Sequence, residues 1–167
     1  MSPSAEPAWE PITAPAEFAA LAEIATEIWH EHYTPIIGRE QVIYMLGRFQ
    51  TPAAIAAQIQ AGMHYWFIVI DGQRAGYLAA EPRDESLFIS KFYLWSSHRG
   101  RGLGRASMDF LANFARGQGL ASLTLTVNRH NHSVAIYERL GFSHDGAICQ
   151  DIGSGYVMDD FCLSKRT

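Results

Sequence analysis

A long apolar segment, Phe88–Leu94, leads into a stretch rich in glycine and arginine, Arg99–Arg105, and a helical pattern follows at once. Glycine lets backbone N–H groups approach a ligand closely, a helix directs its positive end at the preceding loop, and arginine adds forked cationic donors. The predicted helix runs from Gly102 to Arg116 and carries an apolar stripe of Leu103, Ala106, Phe110, Leu111 and Phe114. This strand, loop and helix therefore predict an anion site, most naturally for a pyrophosphate.

Two common phosphate-binding motifs do not fit this segment. A P-loop requires Gly-Lys followed by Ser or Thr, and the chain has no lysine between Lys91 and Lys165. A dinucleotide fingerprint requires a third glycine three residues beyond the second, where this chain has Arg105 or Ser107. The acidic residue expected near the next strand is also missing from Leu120–Val127.

The first sixty residues predict three helices after a short edge strand at Trp9–Thr13. Apolar residues spaced by three and four predict a first helix from Ala16 to about His30 and a second over Arg39–Phe49. Pro35 and Gly38 are expected to separate them, which places Glu31, His32 and Tyr33 in the connection. Thr51-Pro52 predicts the capped start of a third helix that Gly62 ends.

The rest of the chain alternates strands with two helices. His64–Ile70 and Arg74–Glu81 flank Asp71-Gly72, a two-residue hairpin signal. Further predicted elements are a polar turn at Pro82–Glu85, strands at Ser86–Trp95, Leu120–Val127, Phe142–Asp151 and Tyr156–Ser164, and a short helix at Ser133–Leu140. Without repeats or linkers, residues 1–167 are expected to form a single mixed α/β domain.

Composition and charge exclude several classes of partner. The chain has 13 Lys and Arg against 17 Asp and Glu, a net charge of −4, so binding to nucleic acid is not expected. Its longest apolar run, Tyr65–Ile70, is far short of the roughly 20 residues that cross a membrane. The N-terminus lacks the pattern of a signal peptide, so a cytoplasmic protein is expected. Its two cysteines, Cys149 and Cys162, are then expected to be reduced and to serve as small core residues.

Two motifs together carry a resemblance to a known family. Arg99-Gly100-Arg101-Gly102-Leu103-Gly104 fits the pattern Gln/Arg-x-x-Gly-x-Gly/Ala. In the segment from Ser133 to Phe142, three residues separate a tyrosine, Tyr137, from Gly-Phe. In this context the sequence resembles the GNAT superfamily of acetyl-CoA-dependent N-acetyltransferases. The resemblance implies an α/β (α+β) fold with a mixed, mostly antiparallel central sheet, flanked by helices on both faces. Its two central strands are expected to splay and admit the pantetheine arm.

The resemblance also assigns residues to acetyl-CoA, the implied co-substrate. Leu94 is expected to hydrogen bond the acetyl and pantetheine groups through its backbone, with Trp95 and Ser96 alongside. The pyrophosphate is expected to lie on the backbone of Arg99, Gly100, Arg101, Gly102, Leu103, Gly104 and Arg105. Tyr137 is expected to be the general acid that protonates the leaving thiolate, since a phenol is mostly protonated at neutral pH. The alternative is that its ring only packs against Val134 and Leu140.

One asparagine departs from the family pattern. The family usually places an asparagine seven residues before the tyrosine, where this chain has His130. Asn131 is our choice for the residue that contacts CoA, and Asn128 is the alternative. Capping of the following helix is an equally ordinary role for Asn131.

The sequence says less about the acceptor amine than about acetyl-CoA. In the family the substrate mouth is lined by the first helices and the last strands, which makes Glu31, Tyr33 and Asp159 candidate substrate-binding residues. An acidic mouth suits a small cationic amine or polyamine. The alternative acceptors are a protein N-terminus, a lysine, an antibiotic and an amino acid. A further alternative is that the protein is a catalytically silent CoA-binding module.

The histidine pairs His30-x-His32 and His130-x-His132 lack further ligands, so no metal is expected. An exposed final strand makes a homodimer reasonable.

Overall fold

A computed structural model describes residues 5–167 as seven strands and five helices. The seven strands form one sheet in the order β1-β2-β3-β4-β5-β7-β6. The strands are β1 (Ala8–Pro11), β2 (His64–Ile70), β3 (Gln73–Arg83), β4 (Ser86–Leu94), β5 (Ser122–Asn128), β6 (Ser143–Gly153) and β7 (Tyr156–Arg166). The helices are α1 (Pro15–Ile37), α2 (Arg39–Phe49), α3 (Pro52–Gln60), α4 (Leu103–Gly117) and α5 (Ser133–Arg139).

The sheet is mixed and mostly antiparallel, which confirms the predicted fold class. Strands β1 and β2, β2 and β3, β5 and β7, and β6 and β7 pair antiparallel. Strands β4 and β5 pair in parallel, with Ser86 opposite Ser122 and Ile89 opposite Leu125. A parallel pair needs a long crossover, and α4 lies within it.

The chain divides into two compact units, and the first carries the N-terminal helices. It combines the chain up to Ala80 with Lys91–Leu103. Its core is made by buried residues such as Leu21 and Ile28 of α1, Ile55 of α3 and Phe67 of β2. The β2–β3 turn has positive φ at Asp71 (52°) and Gly72 (72°), as a two-residue hairpin turn with matching twist requires.

The second unit combines Glu81–Ser90 with Gly104–Thr167. Leu123, Leu125 and Val127 of β5 are buried and alternate with partly exposed residues, which is the pattern of a strand with one covered face. Buried residues of α4, Met108, Leu111 and Ala115, belong to the same unit, as does Leu163 of β7.

Helix α1 is longer than the sequence predicts. It continues through Pro35 to Ile37, so the prediction that Glu31, His32 and Tyr33 lie in a connection is wrong, because all three are helical. Pro35 removes only one hydrogen bond, and the carbonyl of Thr34 still accepts from the Gly38 N–H at 3.0 Å. The helix ends at Gly38, whose φ of 86° is unfavourable for other residues.

Two smaller expectations are also wrong, and others are confirmed. Pro82 and Arg83 belong to β3 rather than to a turn. Cys149 is exposed rather than in the core, because β6 is the last strand of the sheet order and its side chains are largely exposed. Helix α2 has the predicted bounds, and Thr51 caps α3 by accepting from the Ala54 N–H at 3.1 Å. Within residues 5–167, no helix combines the length and apolarity that a membrane crossing requires.

Candidate active site

The glycine- and arginine-rich segment begins in the first unit as an exposed loop. Residues Ser96–His98 form a single 3₁₀ turn, and Gly100 and Gly102 follow with φ of 74° and 77°. These backbone conformations disfavour residues other than glycine. A Cβ built at either glycine would meet no heavy atom within 4 Å, so the loop leaves open space beside its backbone.

The predicted pyrophosphate residues differ in exposure. Arg99, Gly100, Arg101, Gly102 and Arg105 are exposed, Gly104 is half-buried in the first turn of α4, and Leu103 is buried. The Arg99 guanidinium donates to the Leu94 carbonyl at 3.3 Å, and that of Arg101 lies 3.5 Å from the Asp71 carboxylate. An open backbone with exposed guanidinium groups fits a phosphate-bearing ligand such as acetyl-CoA.

The end of β4 is held by the backbone of β3. The Trp95 N–H donates to the Ala75 carbonyl at 2.9 Å. Ala75 is the extra residue of a β-bulge, because Ile68 pairs with Gly76 and Val69 pairs with Arg74. Leu94 and Trp95 are half-buried and Ser96 is exposed. The three predicted thioester residues therefore lie at a fixed strand end.

Four rings lie together in the first unit, three from α1 and one from β4. Trp29 is 5.6 Å from Tyr33 and 5.5 Å from Tyr93 between ring centroids, and His32 is 4.9 Å from Tyr33 and 6.4 Å from Tyr93. The hydroxyls of Tyr33 and Tyr93 are 2.8 Å apart. We call these four residues the ring cluster. Of these four residues, the sequence predicted only Tyr33 to bind substrate. The i, i+3, i+4 spacing of Trp29, His32 and Tyr33 on a helix is the signal that they share a face.

A buried chain of hydrogen bonds adjoins the ring cluster. The Trp29 indole N–H donates to the Tyr77 hydroxyl at 2.8 Å, and that hydroxyl donates to Gln50 Oε1 at 2.8 Å. The Gln50 amide donates to the Tyr65 hydroxyl at 3.1 Å, which donates to Gln58 Oε1. Burial raises the pKa of the Tyr77 phenol well above 10, so it stays a neutral donor. The chain links α1, α3, β2 and β3 through satisfied polar groups.

Tyr137 lies in the second unit, on α5. Its side chain is buried, with its ring 5.6 Å from that of Phe142, edge to face. The Phe142 N–H also donates to the Tyr137 carbonyl at 3.1 Å. The tyrosine and the Gly-Phe element of the motif are thus in direct contact.

The two candidate asparagines both bond to nearby backbone. Asn131 is buried, and its Oδ1 accepts from the Ser133 N–H at 2.8 Å, which satisfies a donor at the start of α5. Asn128 Oδ1 accepts from the His130 N–H at 2.9 Å. The Asn131 side chain thus bonds the first residue of α5, next to His132 at the N-cap, whose own side chain makes no capping hydrogen bond.

The acidic candidates have unequal surroundings. Glu31 is exposed on α1. Asp159, on β7 in the second unit, forms an ion pair with Arg129 at 2.9 Å, so its charge is offset locally. Its neighbour Asp160 is buried, and burial raises the pKa of that carboxyl to about 6, while a hydrogen bond with Thr126 opposes the rise.

Comparison with curated proteins gives partial matches. The chain is 35% identical over 79 residues to streptothricin acetyltransferase from Streptomyces lavendulae, covering 46% of this chain and 42% of that protein. It is 30% identical over 89 residues to N-acetyltransferase family 8 member 2 from Rattus norvegicus, covering 49% of this chain and 39% of that protein. The matches thus span less than half the length of these relatives.

Solved structures give the fold. The PaiA N-acetyltransferase from Thermoplasma acidophilum, solved in complex with coenzyme A, superposes with a TM-score of 0.77 at 15% identity, covering 97% of this chain and 99% of that one. The model of the acetyltransferase (GNAT) family matches residues 19–142, which include the whole of the glycine-rich segment and the Tyr137 motif. The chain belongs to the GNAT family of acetyltransferases.

Proposed function

We propose that the protein transfers the acetyl group of acetyl-CoA directly to an amine. The observation that carries this proposal is the loop at Arg99–Leu103, which follows the end of β4 after a single 3₁₀ turn. Its two positive-φ glycines and open backbone suit a pyrophosphate, and its arginines supply positive charge. Acetyl-CoA supplies the activated acetyl group when bound.

Leu94 is the residue proposed to orient the thioester. Its backbone N–H and carbonyl lie at the strand end that the Trp95–Ala75 hydrogen bond fixes. A fixed N–H beside the carbonyl oxygen stabilises the negative charge that develops there during amine attack. The Leu94 carbonyl accepts from Arg99 in this structure, so Arg99 links the thioester residue to the phosphate loop.

Tyr137 is proposed to protonate the leaving thiolate. The family motif carries this assignment, and an ordinary phenol keeps its proton at neutral pH. A positioned acid of this kind contributes roughly 10²–10⁴-fold to a rate. The Tyr137 ring lies edge to face against that of Phe142, and its hydroxyl is the donor in this proposal.

The acceptor is proposed to be a small cationic amine or polyamine. The net charge of −4 favours approach of a cation to the protein as a whole. A second candidate is a basic antibiotic, favoured by the 35% identity to streptothricin acetyltransferase over 79 residues.

A thiol-release screen tests these acceptors. Purified protein is mixed with acetyl-CoA and with spermidine, streptothricin, amino acids or peptides, and free CoA thiol is measured. The proposal predicts release that depends on a cationic amine, with the acetylated product seen by mass spectrometry. Release with peptides alone would contradict the acceptor class.

The prediction that the final strand is exposed is wrong, because β7 pairs with β5 on one side and β6 on the other. A homodimer is proposed through the edge strand β6 instead. Strand β6 is at the end of the sheet order, and its exposed side chains include Ile148. An uncovered strand edge pairs readily with another strand. Size-exclusion chromatography with light scattering measures the oligomeric state. A wild-type dimer that becomes a monomer in Cys149→Pro supports the proposal, and a wild-type monomer contradicts it.

A further inference from the structure

The ring cluster is built differently from an ordinary apolar core. Trp29 is buried, but His32, Tyr33 and Tyr93 are each only half-buried. Ring centroids lie 4.9 to 6.4 Å apart in the pairs that include His32 or Tyr33. The cluster therefore presents partly exposed rings and a pair of hydroxyls 2.8 Å apart.

The cluster adjoins the residue proposed to orient the thioester. Tyr93 directly precedes Leu94 in β4, and both belong to the first unit. Consecutive side chains of a strand point to opposite faces, so the Tyr93 ring and the Leu94 side chain lie on different faces of β4. The two residues are joined by one peptide bond. Tyr93 of the ring cluster is thus the neighbour in β4 of Leu94, whose backbone is proposed to orient the acetyl carbonyl.

Aromatic faces attract cations. In the same unit, the Lys91 ammonium lies 5.7 Å from the Tyr65 ring centroid and the Arg74 guanidinium lies 3.8 Å from that of Phe67. Such contacts stabilise a bound cation without an opposite charge. Aromatic rings alone can accordingly hold a cationic amine.

We propose that the ring cluster is the binding site of the acceptor amine and that His32 takes the proton that this amine must lose. This inference rests on the proposed function and names its acceptor site and base. The acceptor class it implies is a primary ammonium ion that lies against tyrosine faces.

The choice of His32 follows from the chemistry of the four rings. An indole has no basic nitrogen and a phenol is protonated at neutral pH, whereas an imidazole accepts a proton there. The titratable groups facing His32 include the phenols of Tyr33 from its own helix and Tyr93 from β4. The adjacent Glu31 is exposed on the same helix.

The proton and electron movements balance without a further reactant. His32 takes one proton from the ammonium, and the freed nitrogen lone pair forms the N–C bond to the acetyl carbonyl. The C–S bond breaks, and the thiolate takes a proton from Tyr137. As the amide forms, the attacking nitrogen loses its second proton, which passes through solvent to the Tyr137 phenolate. His32 gives its proton to water, so one proton is released for each acetyl group transferred.

The first test compares His32→Gln with His30→Gln. Both histidines are half-buried on α1, so the control reports any general effect on the helix. With acetyl-CoA and spermidine, His32→Gln is expected to lower kcat/KM for the amine roughly 100-fold at pH 7, as for a lost general base. His32→Gln should also remove the acidic limb from the pH profile of kcat/KM. His30→Gln should change neither the kcat/KM at pH 7 nor the shape of that profile.

The second test separates the ring of Tyr33 from its hydroxyl. Tyr33→Phe keeps the aromatic face and is expected to change the KM for spermidine less than threefold. Tyr33→Leu loses the face and is expected to raise it roughly tenfold. A larger effect of Tyr33→Phe than of Tyr33→Leu would overturn recognition by the ring face.

A binding measurement needs no turnover. In the CoA-bound protein, the His32 Hε1 resonance is identified by its absence in His32→Gln and followed during addition of spermidine. A saturable shift supports the site, and an unmoved resonance overturns it. Equal kcat/KM for His32→Gln and His30→Gln would also overturn it. By contrast, a wild type that does not bind acetyl-CoA contradicts the proposed function itself.

Discussion

A Cβ atom on Gly76 would overlap the carbonyl oxygen of Tyr93 and lie 2.9 Å from the Cα of Leu94. The backbone of β3 is thus in direct contact with the end of β4, where no side chain of any size fits. Together with the Trp95–Ala75 hydrogen bond, this contact positions the residue proposed to orient the thioester.

Gly76→Ala is expected to destabilise the protein by about 1–3 kcal/mol, because the added methyl group must displace backbone rather than a flexible side chain. Gly47→Ala is the matched control, since a Cβ there meets nothing within 4 Å and α2 favours alanine. Urea denaturation should show the loss in Gly76→Ala and no loss in Gly47→Ala. Equal stability of the two variants would refute the close approach.

Gly102→Val is expected to weaken acetyl-CoA binding tenfold or more, because a branched side chain enters the open space beside the loop and disfavours φ of 77°. Gly155→Val is the control: Gly155 has a similar φ of 80°, is equally open and lies in the β6–β7 turn. Calorimetry should find weaker binding only for Gly102→Val. A similar affinity in both variants would argue against the phosphate loop.

Tyr137→Phe is expected to lower kcat roughly 100-fold while the Kd for acetyl-CoA changes less than twofold, since only the donor hydroxyl is lost. The ring contact with Phe142 is kept in this variant. Tyr44→Phe, on α2, removes a hydroxyl elsewhere and should leave kcat unchanged. Steady-state kinetics with spermidine measures kcat for both variants. An unaltered kcat in Tyr137→Phe would show that Tyr137 is not the general acid.

The buried carboxyl of Asp160 predicts a pH-dependent stability. Burial raises its pKa from 3.8 to about 6, so the folded protein holds this proton more tightly than the unfolded chain. The free energy of unfolding therefore falls as pH rises between these values, by about 3 kcal/mol in total at about 1.4 kcal/mol per pH unit.

Asp160→Asn should abolish that fall, and the variant should be more stable than the wild type at pH 7.5. Denaturation at pH 5 and pH 7.5 measures the effect. Asp109→Asn, at an exposed position of α4, should keep the wild-type difference between the two pH values. The account of Asp160 fails if its asparagine variant keeps that difference too.

Local signals in the sequence predicted most elements correctly. The bounds of α2, the Thr51 cap and the Asp71-Gly72 turn depend on neighbouring residues only, and all three are confirmed. Pro35 misled the prediction because proline disfavours a helix, yet one lost hydrogen bond did not end α1. Cys149 was misplaced because exposure of β6 depends on its position in the sheet order.

The motifs predicted the loop and Tyr137 but not the ring cluster. Glycines and arginines of the loop are adjacent in the chain, so one segment contains the signal. Tyr93 meets Tyr33 across 60 residues, and no local pattern encodes that contact. His32 was predicted to lie in the connection after the first helix, so its place on a helix face shared with Tyr33 was not predicted.

The most direct test of the central claim is calorimetric titration of acetyl-CoA into the wild-type protein. The proposed function predicts saturable binding with a Kd in the micromolar range, weakened tenfold or more in Gly102→Val and retained in Gly155→Val. Absence of measurable heat with the folded wild-type protein at high micromolar concentrations would contradict it.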